Sequence, residues 1–179
     1  SSLPQVSLEI SDFDYVVVGE GEDAIIELIK AIENKIPFEL IDGILYRDKD
    51  NKIIQNPSRQ FKDNIDKISF PAWELLKVGR YHDVFTRYNK FATMIASRGC
   101  PFNCTFCDRK NRMGNKWRIR SPENVLSEIK ILNSKYGIKE FMFYDDNFIF
   151  EKKWVYEFCD KIDENKLKII WECRARVDM

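Results

Sequence analysis

From Phe91 onward, apolar runs suited to buried strands alternate with segments of helical period, and this alternation restricts the fold more than any other feature. Phe91 to Ser97 is a continuous buried-strand signal. Ser121-Pro122 then supplies a hydroxyl N-cap and a proline at the first helical position. Val125, Ile129 and Leu132 form the apolar stripe of that helix, and Gly137 is its expected stop. Phe141 to Tyr144 is the next strand, Val155, Phe158, Cys159 and Ile162 mark a second helix, and Leu167 to Cys173 a third strand. Such an order implies right-handed crossovers and a parallel sheet, so the fold class is α/β.

Upstream, Asp14 to Val18 reads as a short strand running into the turn Gly19-Glu20-Gly21-Glu22. Ile25, Leu28, Ile29 and Ile32 then recur at helical spacing, predicting a helix over about Asp23 to Asn34 that Pro37 ends. Gly43 to Arg47 and Lys52 to Gln55, joined by Asp48-Lys49-Asp50-Asn51, predict a β-hairpin. From Pro57 to Asn89 the pattern breaks down into a polar connector containing the Phe70-Pro71-Ala72-Trp73 turn.

The 29 Lys and Arg balance 29 Asp and Glu over 179 residues, which argues against a generic binder of nucleic acid or of membrane surfaces. No apolar run reaches the roughly 20 residues that span a bilayer. The first ten residues lack the basic start and apolar block of a signal peptide, so a cytoplasmic location is expected. The five cysteines are Cys100, Cys104, Cys107, Cys159 and Cys173. An odd number with a tight cluster does not suit a secreted disulfide framework; it suits metal binding or redox chemistry.

Arg98-Gly99-Cys100-Pro101-Phe102-Asn103-Cys104-Thr105-Phe106-Cys107 spaces the cluster as C-x3-C-x2-C directly after a buried strand. In parallel α/β folds, sites gather at the carboxyl ends of strands. Three thiolates on one loop can hold three irons of a [4Fe-4S] cube and leave the fourth open to substrate. Two other readings remain: a zinc site missing its fourth ligand, and three small buried thiols. Zinc sites usually show paired C-x2-C half-sites or a nearby histidine, and the sole histidine is His82.

With this loop, and with Phe106 just before its last cysteine, the sequence resembles the radical S-adenosylmethionine (SAM) enzymes. The stretches Asp14 to Glu22, Phe70 to Trp73, Ala96 to Cys107, Phe143 to Phe148 and Trp171 to Asp178 are similar to the subfamily with an N-terminal cobalamin-binding domain. That subfamily includes the anaerobic magnesium-protoporphyrin monomethyl ester cyclases and many methyltransferases. The resemblance implies a [4Fe-4S] cluster on Cys100, Cys104 and Cys107. It also implies one-electron cleavage of SAM to a 5′-deoxyadenosyl radical, with an electron donor of flavodoxin or ferredoxin type and a small-molecule substrate. Phe106 is the implied packing partner of the adenine, Asp145 and Asp146 the groups at the SAM amine, and Arg174 and Arg176 those at its carboxylate. A solvated loop competes with the roles of the two aspartates, and a surface pair with those of the two arginines. Cobalamin is implied for the full-length protein, with the Gly19 to Glu22 turn either near its nucleotide tail or a plain strand-to-helix connection.

The fold expected on this basis is the first half of a partial TIM-like barrel of about six βα units. A tail of a Rossmann-like cobalamin domain and a hairpin linker would precede it. The boundaries are 1–36 for the cobalamin-domain remnant, 37–89 for hairpin and connector, and 90–179 for the barrel half. The upstream Asp-x-His-x-x-Gly pattern of that domain does not occur, so the chain is expected to be a fragment that self-associates through an unpaired strand edge. The basic run Arg109, Lys110, Arg112, Lys116, Arg118 and Arg120 reads as a solvated loop ahead of an anion or reductase contact. Cys159 reads as a packing residue. Cys173 reads as packing ahead of a site residue near a strand's carboxyl end. The competing function class is a non-catalytic iron–sulfur or zinc module for electron transfer or structure. An electron carrier would usually offer four ligands to its cluster, and this loop offers three.

Overall fold

Three short strands, β1 (Tyr15–Val17), β2 (Ile44–Arg47) and β3 (Ile53–Gln55), form an antiparallel sheet in sequence order. In this computed structural model, residues 3–81, 83–108 and 112–179 are described. The chain divides into two compact units, residues 1–63 with 100–115, and residues 64–99 with 116–179. In the first, the hairpin forms as its turn residues require, because the Asp48 carboxylate accepts the Asp50 and Lys52 N–H groups at 2.9 and 2.8 Å.

β1 pairs antiparallel with β2, Val16 opposite Leu45, so the leading strand and the hairpin share one sheet. Helix α2 (Glu22–Asn34) covers this sheet, but the buried face is one residue off the expected stripe. Ala24, Leu28 and Ala31 pack on Ile41, Ile44 and Tyr46, while Ile25, Ile29 and Ile32 stay 45, 48 and 50% exposed. Small alanines let the helix backbone approach the strands closely, which isoleucines at the same places would prevent. A short helix that the sequence pattern did not reveal, α1 (Pro4–Glu9), seats Leu8 against Val16 and Leu45.

In the second unit, β4 (Phe91–Met94), β7 (Glu140–Phe143) and β8 (Ile170–Cys173) form the parallel sheet that the alternation predicts. Its order is β4-β7-β8, with Thr93 opposite Met142 and Met142 opposite Glu172. The crossovers are α3 (Pro122–Tyr136) and α4 (Lys152–Glu164). Ser121 caps α3 by accepting the Asn124 N–H at 3.2 Å, and Gly137 ends it in the left-handed region at φ 70°. Val125, Ile129 and Leu132 are fully buried against Phe141 and Phe143. Phe143, Phe148, Trp154, Phe158 and Trp171 continue the same core as one aromatic cluster, Trp154 stacked on Phe158 at 5.3 Å.

Two features depart from the sequence reading. The strand expected to run to Ser97 ends at Met94, and Ser97–Arg98 forms a separate strand, β5, paired antiparallel with β6 (Arg118–Ile119). The connector is also tied into the core: Trp73 is buried, and its indole N–H donates to the Glu128 carboxylate at 2.8 Å. No described helix is long and apolar enough to cross a membrane.

Candidate metal and cofactor site

The cysteine loop leaves β5 and returns at β6, so both of its ends are fixed by one two-stranded ribbon. Gly99 opens the loop with φ 79°, a left-handed conformation that a side chain would strain. Cys100 is buried, Cys104 is half-buried and Cys107 is exposed, and no cysteine of the chain is in a disulfide. The Cys107 N–H donates to the Cys104 carbonyl at 3.1 Å, putting these two residues on one turn. Phe106, between them in the sequence, is 91% exposed.

The donor chemistry of this loop suits an iron–sulfur cluster, with three soft thiol ligands and no competing hard ligand inside C-x3-C-x2-C. Among the described residues, no three His, Cys, Asp or Glu side chains are gathered as a metal-binding group. Metal–thiolate sites commonly take their final shape as the metal binds. Arg109 and Lys110 of the basic run, and His82, lie outside the described residues.

The second unit carries the other predicted residues at the carboxyl end of its sheet. Asp145 follows β7 and is only 2% exposed. One of its oxygens accepts the Ala96 N–H at 3.1 Å; the other accepts both the backbone N–H and, at 2.5 Å, the hydroxyl of Ser97. Burial pushes the Asp145 carboxyl above its ordinary value, and the three donors oppose that shift. Asp146, the next residue, is exposed.

Asn147 is fully buried, and neither polar atom of its side chain finds a hydrogen-bond partner among the described residues. Arg174 is exposed and lies over the Tyr144 ring, its guanidinium carbon 4.0 Å from the centroid, while its carbonyl accepts the Phe148 N–H at 3.0 Å. Arg176 pairs with Asp178 at 2.5 Å. Burial raises the thiols of both Cys159 and Cys173; at Cys173 the carboxylates of Asp145 and Glu172 add to it.

The sequence reading missed Arg120 and Ser97. The Arg120 N–H donates to the Ala96 carbonyl at 2.8 Å, and its guanidinium reaches the Ile95 carbonyl at 3.1 Å and the buried Glu128 at 2.7 Å. Trp154 donates its indole N–H to the Arg120 carbonyl at 2.7 Å. In the sequence, Arg120 looks like one more member of a basic run, and nothing in its neighbourhood marks it as structural. In the first unit, the Gly19 to Glu22 turn is bound to its own chain, since buried Glu20 accepts the Lys62 N–H at 3.0 Å.

Residues 94–178 match the pattern of the Radical SAM superfamily. The chain is 35% identical over 176 residues to an uncharacterized methyltransferase of Pyrococcus horikoshii, a match covering 98% of this chain and 38% of that protein. It is 30% identical over 178 residues to the anaerobic magnesium-protoporphyrin IX monomethyl ester cyclase of Rubrivivax gelatinosus, covering 97% of this chain and 31% of the relative. The chain thus spans about a third of the length of these curated relatives. Among solved structures, the cobalamin-dependent S-adenosylmethionine radical enzyme OxsB superposes with a TM-score of 0.72 at 24% identity, over 92% of this chain and 23% of that one. The radical S-adenosylmethionine methyltransferase TsrM from Kitasatospora setae superposes with a TM-score of 0.68 at 18% identity, over 92% of this chain and 32% of that one. The chain shares the mixed α/β fold of both.

Proposed function

Residues 94–178 form a radical SAM domain, and from that premise we propose that the chain is the cluster-binding part of a radical SAM enzyme. In this reading Cys100, Cys104 and Cys107 hold a [4Fe-4S] cluster. Bound there, the cluster supplies the single electron that cleaves S-adenosylmethionine to methionine and a 5′-deoxyadenosyl radical. The observation that carries the reading is the three-cysteine loop, rooted in a ribbon that follows the carboxyl end of a parallel strand.

The protein's own contributions are ligation, orientation and exclusion of solvent. Asp146 is exposed after β7 and is our candidate for the SAM ammonium, since the Asp145 oxygens already accept bonds from Ala96 and Ser97. Arg174 and Arg176, after β8, are candidates for the SAM carboxylate, and Arg176 would exchange its pairing with Asp178 to serve. Exposed Phe106 is free to swing onto the adenine.

For the whole protein we propose methyl transfer or porphyrin-type oxidative cyclisation of a small molecule, with cobalamin as a further cofactor. An electron donor of flavodoxin or ferredoxin type would serve it in the reducing cytoplasm. The relatives named as a methyltransferase and a cyclase support this over a non-catalytic iron–sulfur or zinc module. In domain terms, 1–36 would be the end of a Rossmann-like cobalamin domain, 37–89 its linker and 90–179 the first half of a TIM-like barrel. Strand β8 is bonded only to β7 among the described strands, and by that edge the isolated chain would self-associate.

Anaerobic reconstitution of the full-length protein tests the core of this reading. It should bind about four irons and four sulfides per chain, with a reduced-state EPR signal that changes when SAM is added. Cys104→Ala should abolish the cluster. Stoichiometric zinc without iron uptake would overturn the reading.

A further inference from the structure

Asp145 is a buried acid that spends its hydrogen-bonding capacity on the chain just before the cysteines. A carboxylate offers about four lone-pair sites, and three are used: one by the Ala96 N–H and two by the N–H and hydroxyl of Ser97. The Tyr144 N–H donates to the Met94 carbonyl at 2.9 Å, which continues the β4–β7 ladder and keeps Asp145 level with residues 95–97. Resting on the cluster reading above, we infer that Asp145 is a positioning residue for the cysteine loop. Its carboxylate holds the backbone at Ala96 and Ser97, from which Arg98-Gly99-Cys100 departs, and it does not bind SAM itself.

The opposite leg of the loop is held at the same place. The Arg120 N–H takes the Ala96 carbonyl at 2.8 Å, so both backbone polar groups of Ala96 are pinned, one by Asp145 and one by Arg120. Ala96 is fully buried and Ser97 is 2% exposed, so an apolar residue at position 145 would strand two amides and a hydroxyl away from water. An amide there would have to turn its NH2 group toward one of three donors. A carboxylate is the side chain that accepts at every position, and its charge strengthens each bond.

Metal sites depend on residues behind their ligands, whose loss typically costs about tenfold to a hundredfold in metal affinity. The test uses reconstituted full-length protein: wild type, Asp145→Ala, Asp145→Asn and Asp146→Asn. Iron loss to bathophenanthroline, SAM affinity by EPR titration, and hydrogen exchange of the Ala96 and Ser97 amides are measured on each.

Asp145→Ala should lose iron at least about tenfold faster than wild type, with faster exchange at both amides. Asp145→Asn, which keeps a carbonyl oxygen for Ser97, should fall between them and serves if the alanine variant does not fold. The line shape of the reduced cluster should change in the Asp145 variants, whereas a merely structural loss would lower thermal stability and leave the spectrum of the remaining cluster unaltered. Asp146→Asn should lose iron at the wild-type rate.

Wild-type rates of iron loss in both Asp145 variants would overturn the inference, as would a loss of SAM affinity with the cluster equally secure. A wild type that takes up no iron would instead overturn the cluster reading, and the two failures are told apart by that arm alone.

Discussion

The Trp73 indole N–H donates to the Glu128 carboxylate at 2.8 Å, and the other oxygen of that carboxylate pairs with Arg120 at 2.7 Å. One buried acid thereby joins the connector, helix α3 and the returning leg of the cysteine loop. Glu128 is 2% exposed, and each of its oxygens has a partner, as burial of a polar group requires.

Removing one partner of such a pair leaves an unpaired buried charge. Glu128→Ala should destabilise the protein by about 3–5 kcal/mol, with Arg120 left facing the core. Trp73→Phe keeps most of the packing and loses one hydrogen bond to a charged group, at about 1.5–3 kcal/mol. Denaturant midpoints of the two variants check the order, and equal midpoints would deny Glu128 its bridging role.

Asp146→Asn should weaken SAM binding by on the order of tenfold to a hundredfold while iron content stays unchanged. EPR titration of the reduced cluster with SAM reads the affinity. An unchanged affinity would return Asp146 to a solvated loop position.

The raised pKa of Asp145 predicts a pH dependence of definite sign. The folded state holds this proton more tightly than the unfolded chain, so stability is greatest below the ordinary carboxyl range. It is lost as pH rises through the window between that range and the elevated native value. Asp145→Asn should be less stable overall but flat across that window. Denaturation of both proteins at a series of acidic pH values gives the difference, and parallel curves would contradict the assignment.

The 179-residue chain should bind no cobalamin measurably, whereas the full-length protein should bind it. Within residues 1–36, helix α1, strand β1 and helix α2 offer one wall of the pocket a corrin needs. One wall cannot exclude water or offset the ordering cost of a large ligand. Equilibrium dialysis against hydroxocobalamin checks both, and tight binding by the short chain would move the domain boundary.

What the sequence determined by itself is local. The period of Val125, Ile129 and Leu132, the Ser121 cap and the Gly137 stop follow from single-residue conformational preferences, and helix α3 forms where they say. The same holds for the β-hairpin and for the order of strands and helices from Phe91, and so for the parallel sheet. The cysteine spacing needed no structure to be read. Tertiary structure decided what depends on distant partners. The inward face of α2 turned to Ala24 and Leu28 because close packing on β2 outweighed the isoleucine stripe. Arg120 became a half-buried anchor because Glu128 and Trp154 meet it there. Asp145 and Asp146 are adjacent and chemically alike, yet one is enclosed by Ala96 and Ser97 and the other faces water. Successive residues leaving a strand point to opposite sides, and only the packing around β7 determines which side is closed.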